Sequence, residues 1–510
     1  MTGRTERPQR FIRALVFVCL LAALFATSAS CSPEYRALSI LYTNDTHDHL
    51  LPFSYPDPLN DRVPYAKMSA IKNIGGIARR ATLVRRIRAE MHGNALLVDA
   101  GDYTEGTPFC LEYGGADDYA TMSAAGYDAS VPGNHDFRTS LESFYRYARS
   151  ARFTLLCANL VDRKTGKPAL PEYKVFEIDG LKVAVLGITV PSPEFQAAQE
   201  GLDFPDPFVT AKRLVPELRK QADVLIVLSH LGSADDERLA REVAGIDVIV
   251  GGHSHSRLAT PKFVSNGNGS GAFSVGGTII LQAFEHGAEL GRLDLRLRRN
   301  GGLFTLMSYS GRLIPVTADI PDDPATAKVV DRFYRPISKH YGELIGEATK
   351  TLYNSGESAV LNLICDSIRE ASGAQIAMYG TGGVRGDILQ GPIRVWDVAN
   401  VIPYAHRIVV LEMTGAQVKQ ILIRFPIKPG VSGMRYRMVG NRIVEATVDG
   451  KPLDDKAVYK LATINWLVGL YFQSMPVGKT LDITAQQAVV NYIKARKTIS
   501  PVTDGRRRAD

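Results

Sequence analysis

The sequence predicts an α/β protein built as two domains, and three observations carry that expectation. The chain is 510 residues long, more than one hydrophobic core ordinarily serves. Between Leu38 and about Arg298 one rhythm recurs: a short apolar run, a polar or glycine-rich corner, then an amphipathic stretch, as when strands alternate with helices. After Pro315 the rhythm stops, and Pro321 and Pro324 lead into a polar, helix-capable stretch from Ala325 to Leu344 that reads as a connector. Hydrophobic residues at 45% and charged residues at 22% exclude a disordered chain, and 45 Gly with 27 Pro form no tripeptide repeat.

Taken in order, the elements begin with a leader. Arg4, Arg7, Arg10 and Arg13 precede the apolar run Ala14 to Ala26, whose 13 residues fall short of a membrane span, which takes roughly 20. Small residues follow from Thr27 to Ser30, so residues 1–30 read as a signal peptide. Those four arginines against Glu6 place three of the formal +7 charges in the leader, and Arg506, Arg507 and Arg508 sit in a C-terminal tail. The body is nearly neutral, so no nucleic acid polymer is expected as a partner. Beyond Cys19 and Cys31 only Cys110, Cys157 and Cys365 remain, which is no disulfide framework.

The apolar runs Leu38 to Tyr42, Ala95 to Val98, Thr154 to Ala158, Val183 to Ile188, Val224 to Leu228 and Val248 to Val250 predict strands, with helices over Ile77 to Met91 and Glu237 to Val243. Cys157 lies inside such a run and reads as a small buried hydrophobe. The cluster Asn266 to Gly271 reads as a surface loop. Past the connector, Val360 to Glu370 predicts a helix, and Met378 to Asp504 offers mixed strands and helices with glycine-rich turns; a second domain begins near Gly346.

Eight of the ten histidines precede residue 300, and five of them sit at corners beside Asp, Asn or Gly. The first corner is Asn44-Asp45-Thr46-His47, where alternate residues of an extended chain would let Asp45 and His47 grip one ion, with His49 facing solvent. The others are Asp99-Ala100-Gly101-Asp102, Gly133-Asn134-His135-Asp136, Ser229-His230-Leu231-Gly232 and Gly251-Gly252-His253-Ser254-His255. Any one of these is commonplace; five in one α/β unit are a mixed nitrogen and oxygen ligand set without thiolate, suited to Mn, Zn, Co or Fe, with Mg also allowed. Seven ligands exceed what one ion takes, which points to two divalent metal ions sharing a carboxylate, a device for phosphoryl transfer to water. Spacing alone does not divide the ligands between the ions.

In this order the corners resemble those of the calcineurin-like metallophosphoesterases, and Gly75, Gly76, Ile77, Ala78 and Arg79 narrow the likeness to the bacterial 5'-nucleotidase family. In the second half Gly382, Gly383, Val384, Arg385, Gly391, Asp397, Val398, Ile402, Pro403 and Tyr404 look like that family's nucleotide-binding domain. The resemblance implies a four-layer αββα sandwich over residues 38–318, a linker helix over 319–345, and a mixed α/β substrate-binding domain over 346–505. It implies one ion on Asp45, His47, Asp102 and His255, with Asp102 bridging to a second on Asn134, His230 and His253. His135 would sit by the scissile phosphate, and attack by a hydroxide made at the metals would release phosphate from a nucleotide substrate. Arg385 would pair with the phosphate or with the far end of the substrate.

Three departures from the family pattern qualify this. The run after His135 is Asp136-Phe137-Arg138, so Arg138 stands where an Asp usually orients the histidine, and Asp136 or another carboxylate is left to take that role. Gly380 stands where the family often has Asn. Near the C-terminus the polar ribose-binding run is replaced by Thr463-Ile464-Asn465-Trp466-Leu467-Val468-Gly469-Leu470-Tyr471-Phe472. Tyr404 with Tyr471 or Phe472 is expected to sandwich a flat base, the alternative being that Trp466 and Phe472 are core. Cyclic-nucleotide phosphodiesterase, nucleotide-sugar hydrolase and thiosulfohydrolase relatives share the metal corners, and a surface lipoprotein with decayed catalysis is the reading from another class. Cys31 after small residues resembles a bacterial lipobox, with Ser28 where an aliphatic residue is usual. The leader therefore ends either in ordinary cleavage or in a lipid anchor on Cys31 at an extracytoplasmic membrane, periplasmic or cell-surface.

Overall fold

The computed structural model describes residues 34–55, 72–265, 276–300 and 303–509. The signal peptide, Cys31 and the cluster Asn266 to Gly271 lie outside the described residues. Two six-stranded sheets form the centre of the N-terminal half. The first contains β1 (Tyr35–Thr43), β2 (Ala95–Asp99), β3 (Ala129–Ser130) and β4 (Thr154–Leu155). The second contains β5 (Tyr173–Ile178), β6 (Leu181–Thr189), β7 (Val224–His230), β8 (Val248–Gly251), β9 (Lys262–Ser265) and β10 (Gly277–Leu281). The long strands β11 (Glu289–Asn300) and β12 (Leu303–Pro315) complete the first sheet, in the order β12-β11-β1-β2-β3-β4. The second runs β9-β10-β8-β7-β6-β5.

Period-two alternation decides what each strand face buries. Leu38, Ile40 and Tyr42 of β1 pack with Leu96, Val98, Val183, Val185, Ile226 and Leu228 between the sheets. Leu41 and Leu97 face the other way, onto α1 (Ile77–Glu90), whose Ile77, Ala81, Val84 and Ile87 recur at helical spacing. α2 (Ala116–Ala125) shares that layer. On the outer face of the second sheet, Ala184, Leu186, Leu225 and Val227 meet α3 (Pro207–Arg219) and α4 (Ser233–Glu242). This is the expected αββα sandwich.

Strands β1 through β4 are parallel, as are β6, β7, β8 and β10, so their carboxyl ends deliver the five corners to neighbouring edges. One expected strand is shorter than predicted. The strand at the third run ends at Leu155; Leu156 N–H still donates to the Ser130 carbonyl, and Cys157 and Ala158 then cross toward β6, where Ala158 N–H donates to the Gly187 carbonyl at 2.8 Å. Cys157 is fully buried there, as expected.

The connector is the helix α5 (Pro324–Tyr341), capped by the Asp323 side chain accepting from Thr326 N–H, with Pro324 in the first turn. The proline that marks a break in the sequence is thus a helix start. α5 is docked, not free: it packs on α1 and α2, and Tyr113 Oη donates to the Phe333 carbonyl at 2.7 Å.

The C-terminal half holds a mixed five-stranded sheet of β13 (Ile376–Tyr379), β14 (Arg407–Thr414), β15 (Gly430–Ser432), β16 (Val458–Ile464) and β17 (Lys479–Thr484), ordered β15-β13-β16-β14-β17. The expected helix is α6 (Ala359–Ser372), capped by Ser358. Among the described residues no helix is long and apolar enough to cross a membrane.

Gly187 of β6 lies against the backbone of Leu156, and a Cβ there would be 2.3 Å from the Leu156 carbonyl oxygen. A backbone atom cannot rotate away, so Gly187→Ala is expected to destabilise by about 1–3 kcal/mol, read as a lower urea midpoint at unchanged m-value.

Candidate metal centre and substrate cleft

Five of the seven expected ligands adopt left-handed backbone, with φ of 48° at Asp45, 44° at His47, 54° at Asp102, 71° at His253 and 50° at His255. Side chains other than glycine rarely sit there, and such strain of about 1–3 kcal/mol per residue is characteristic of functional loops. The expected extended corner at Asp45 and His47 is therefore wrong in its geometry. A left-handed turn brings these side chains together, held by Asp45 N–H on the Gly101 carbonyl and His47 N–H on the Asp102 carbonyl, both at 2.9 Å. Gly101, at φ 92°, has no room for a Cβ, which would meet Gly133 N at 2.6 Å.

The corners do converge. Ligand atoms of Asp45, His47 and His255 lie within 4.8 Å of one another, as do those of Asp102, His230 and His253. In the first group His47 Nε2 is 3.2 Å from His255 Nε2, which is 3.4 Å from Asp45 Oδ1. In the second, His230 Nε2 is 3.1 Å from Asp102 Oδ2, and His253 Nδ1 is 2.9 Å from Asn134 Oδ1. The same Asp102 oxygen is 3.9 Å from His47 Nε2, so this carboxylate joins the groups.

These donors suit divalent cations. Two imidazole nitrogens that face each other at 3.2 Å need a positive charge between them, a cation or a proton. The far sides are already tied: His47 Nδ1 to the Glu105 carbonyl at 2.9 Å, His230 Nδ1 to the Ala100 carbonyl at 2.6 Å, and His255 Nδ1 to Glu285. Each of these three rings therefore presents Nε2 inward, the tautomer control that metal-binding histidines show. Asp45 is steadied by Asn44 Nδ2 at 2.6 Å and His253 N–H at 3.0 Å.

Other expected residues are placed differently. His49 neither joins the ligands nor faces solvent; it is half-buried, with its ring stacked on His286 at 3.8 Å. Asp136 does not orient His135. Its oxygens accept from the backbone N–H groups of Asp102 and Thr104 at 3.0 Å and Gly133 at 2.7 Å, so it ties the second and third corners together. The carboxylate beside His135 is Glu105, with Oε2 3.3 Å from His135 Nδ1 and in contact with Arg138. Glu105 lay three residues past Asp102 in the second corner, a signal that Arg138 masked.

Arg385 reaches across from the C-terminal half, with Nη2 3.2 Å from His47 Nε2. This puts its guanidinium at the cluster of ligand side chains. Beside it lies a cavity of about 250 Å³ lined by Arg138, Tyr404, His406, Phe425, Trp466 and Tyr471 among others. Phe472 is core, 2% exposed, and leaves the expected sandwich. Tyr471 packs on Phe425 at 4.5 Å; the ring stacked beside Tyr404 is His406, at 5.3 Å, and Trp466 stacks on His406 and on Phe195. Trp466 thus lines the cleft where a core position was the alternative reading.

Without cations the charges are balanced by protons. Burial works against the charged form of His230, but Asp102 beside it outweighs this and raises the imidazole to about 10. Burial likewise opposes His255⁺, and Asp45 and Glu285 outweigh it, raising the imidazole to about 9. A raised histidine contributes stability that is complete below its unfolded value of 6.5 and is lost as pH climbs through the folded value. Cations take the place of those protons, so the gain in melting temperature of metal-loaded over chelated protein is expected to widen between pH 6.5 and 9. Calorimetry of both forms across that range checks it, and a constant gain would contradict it.

Comparison with known proteins bears on this geometry. Residues 38–257 match the family model described as calcineurin-like phosphoesterase, and residues 342–473 match that of the 5'-nucleotidase C-terminal domain. Protein UshA of Yersinia enterocolitica is 29% identical over 87% of this chain and 89% of its own. A 5'-nucleotidase of Vibrio parahaemolyticus is 30% identical over 84% of this chain and 83% of its own. The crystal structure of a 5'-nucleotidase precursor from Thermus thermophilus superposes with a TM-score of 0.81 at 28% identity, over 93% of this chain and 99% of that one. The chain belongs to the 5'-nucleotidase family of calcineurin-like phosphoesterases, metal-dependent phosphoester hydrolases that work with two divalent cations.

Proposed function

We propose that this chain is an exported nucleotidase that releases phosphate from nucleotides. The convergence of seven donor side chains beneath the guanidinium of Arg385 is the observation that best supports this reading. Asp45, His47, Asp102 and His255 would hold one cation, and Asp102, Asn134, His230 and His253 the other. When bound, such a pair supplies an activated water and offsets the charge that spreads over the phosphoryl oxygens.

The chain's own groups do the rest. His135, 8% exposed, has its Nε2 4.0 Å from Asp102 Oδ2 at the edge of the centre, where it steadies or protonates the leaving oxygen. Arg385 engages phosphoryl oxygens with its planar fork. The base end of the nucleotide lies in the aromatic cleft, where Tyr404, His406 and Trp466 offer flat faces and stacking replaces the missing polar ribose contacts. In this reading residues 38–318 carry catalysis, 319–345 the connector and 346–505 substrate binding. A binding protein with decayed catalysis is disfavoured, because buried ligand charges without ions to justify them are costly.

Phosphate release from a panel of nucleoside monophosphates, 2',3'-cyclic nucleotides and nucleotide sugars, with Mn, Co, Zn or Mg, is expected to be fastest for monophosphates and to vanish on chelation. Faster turnover of cyclic nucleotides or nucleotide sugars would move the chain to one of those activities, and none at all would favour a binding role. Asp102→Asn, which removes the shared carboxylate, is expected to lower turnover at least about 100-fold with the far-ultraviolet circular dichroism unchanged; normal rates would refute the bridging role.

Export with diacylation of Cys31 completes the proposal, placing the enzyme on a membrane facing an extracytoplasmic space. In cells fed labelled palmitate the wild-type protein is expected to carry label and Cys31→Ser to carry none. An unlabelled wild type would leave ordinary signal cleavage.

A further inference from the structure

We propose that Glu105 is the residue that positions His135, taking over a task left open by Arg138. The inference rests on His135 acting at the phosphate. Glu105 has φ of 65°, is 3% exposed, and serves two imidazoles at once. Its carbonyl takes His47 Nδ1 at 2.9 Å, and its side-chain Oε2 lies 3.3 Å from His135 Nδ1. A proton on Nδ1 shared with this carboxylate would leave His135 Nε2, 4.0 Å from Asp102 Oδ2, facing the centre. Asp136, the neighbouring acid, is fully engaged by backbone N–H groups and the Thr104 hydroxyl.

Arg138 makes the arrangement tenable. A buried carboxylate shared only with a neutral ring would be poorly solvated, and the Arg138 guanidinium against Glu105 supplies the balancing charge. The face of that guanidinium packs on Phe195 at 4.4 Å and against Tyr404 and Trp466 of the C-terminal half at 5.3 and 5.4 Å. Acid and base are thus rearranged: the acid that holds the histidine comes from the corner before it, and the position after it carries the counter-charge.

The full-length protein, in whichever cation of the panel gives the fastest turnover, tests this. Glu105→Gln is expected to lower kcat about 10- to 100-fold while KM and bound-metal stoichiometry stay within twofold, and Glu105→Asp to fall between. Arg138→Asp added to Glu105→Gln is expected to recover most of the loss, because an acid again stands beside His135. Less than a twofold change in Glu105→Gln, or no recovery in the double variant, would overturn the proposal. A second readout needs neither substrate nor variant of Glu105. In the Zn-loaded wild-type protein, long-range ¹H–¹⁵N spectra, assigned with His135→Asn, are expected to show His135 protonated at Nδ1. A bare Nδ1 would overturn the proposal even if turnover is high, whereas a protonated Nδ1 with no turnover would locate the failure in the functional reading.

Discussion

A single buried carboxylate, Asp102, is the interaction on which the site depends. His230 Nε2 lies 3.1 Å from its Oδ2, His47 and His135 face the same oxygen at 3.9 and 4.0 Å, and His135 N–H donates to Oδ1 at 2.8 Å. Burial alone would drive this carboxyl to hold a proton, yet His230 and His135 keep it well below the usual carboxylate range. An anion that stays ionised inside a protein needs positive partners arranged around it. That need explains why loops separated by more than a hundred residues share one centre.

The scaffold makes the convergence possible. Parallel strands put their carboxyl ends on one edge, and the left-handed residues at those ends are tolerated because the apolar layer between the sheets behind them is fully buried. Strain sits in the loops and is offset by the layers that carry them. The tight approaches at Gly101 and Gly187 belong to the same economy of space, since neither position accepts even a methyl group without displacing backbone.

Much of this was legible in the residues themselves. Apolar runs of the right length marked β1, β2, β6, β7 and β8, and acid, amide and imidazole types at their ends marked the ligands. The turn chemistry was not legible, because alternation assumes an extended chain and Asp45 and His47 are left-handed. Glu105 escaped notice because its partner lies thirty residues onward, and local sequence does not report such pairings. The aromatic run from Trp466 to Phe472 was misjudged for a different reason. Trp466, Leu467, Leu470 and Tyr471 fall on one face of a short helix and reach the cleft, while Phe472 follows the last turn and is turned inward.

The docked connector has one further consequence. At its end the Tyr341 hydroxyl donates to Glu112 at 2.8 Å, which anchors that residue to the N-terminal half. The next carbonyl, of Gly342, accepts from Arg394 at 2.8 Å, and that of Glu343 accepts from Val395 N–H at 3.1 Å, which anchors both to the C-terminal half. The bonds to the two halves thus change over between Tyr341 and Gly342, and Trp396 of the C-terminal half packs on Tyr334 and Tyr341 across that point at 5.9 and 6.1 Å. The end of the connector is therefore a seam held from both sides, so a substitution there is felt by the two halves alike.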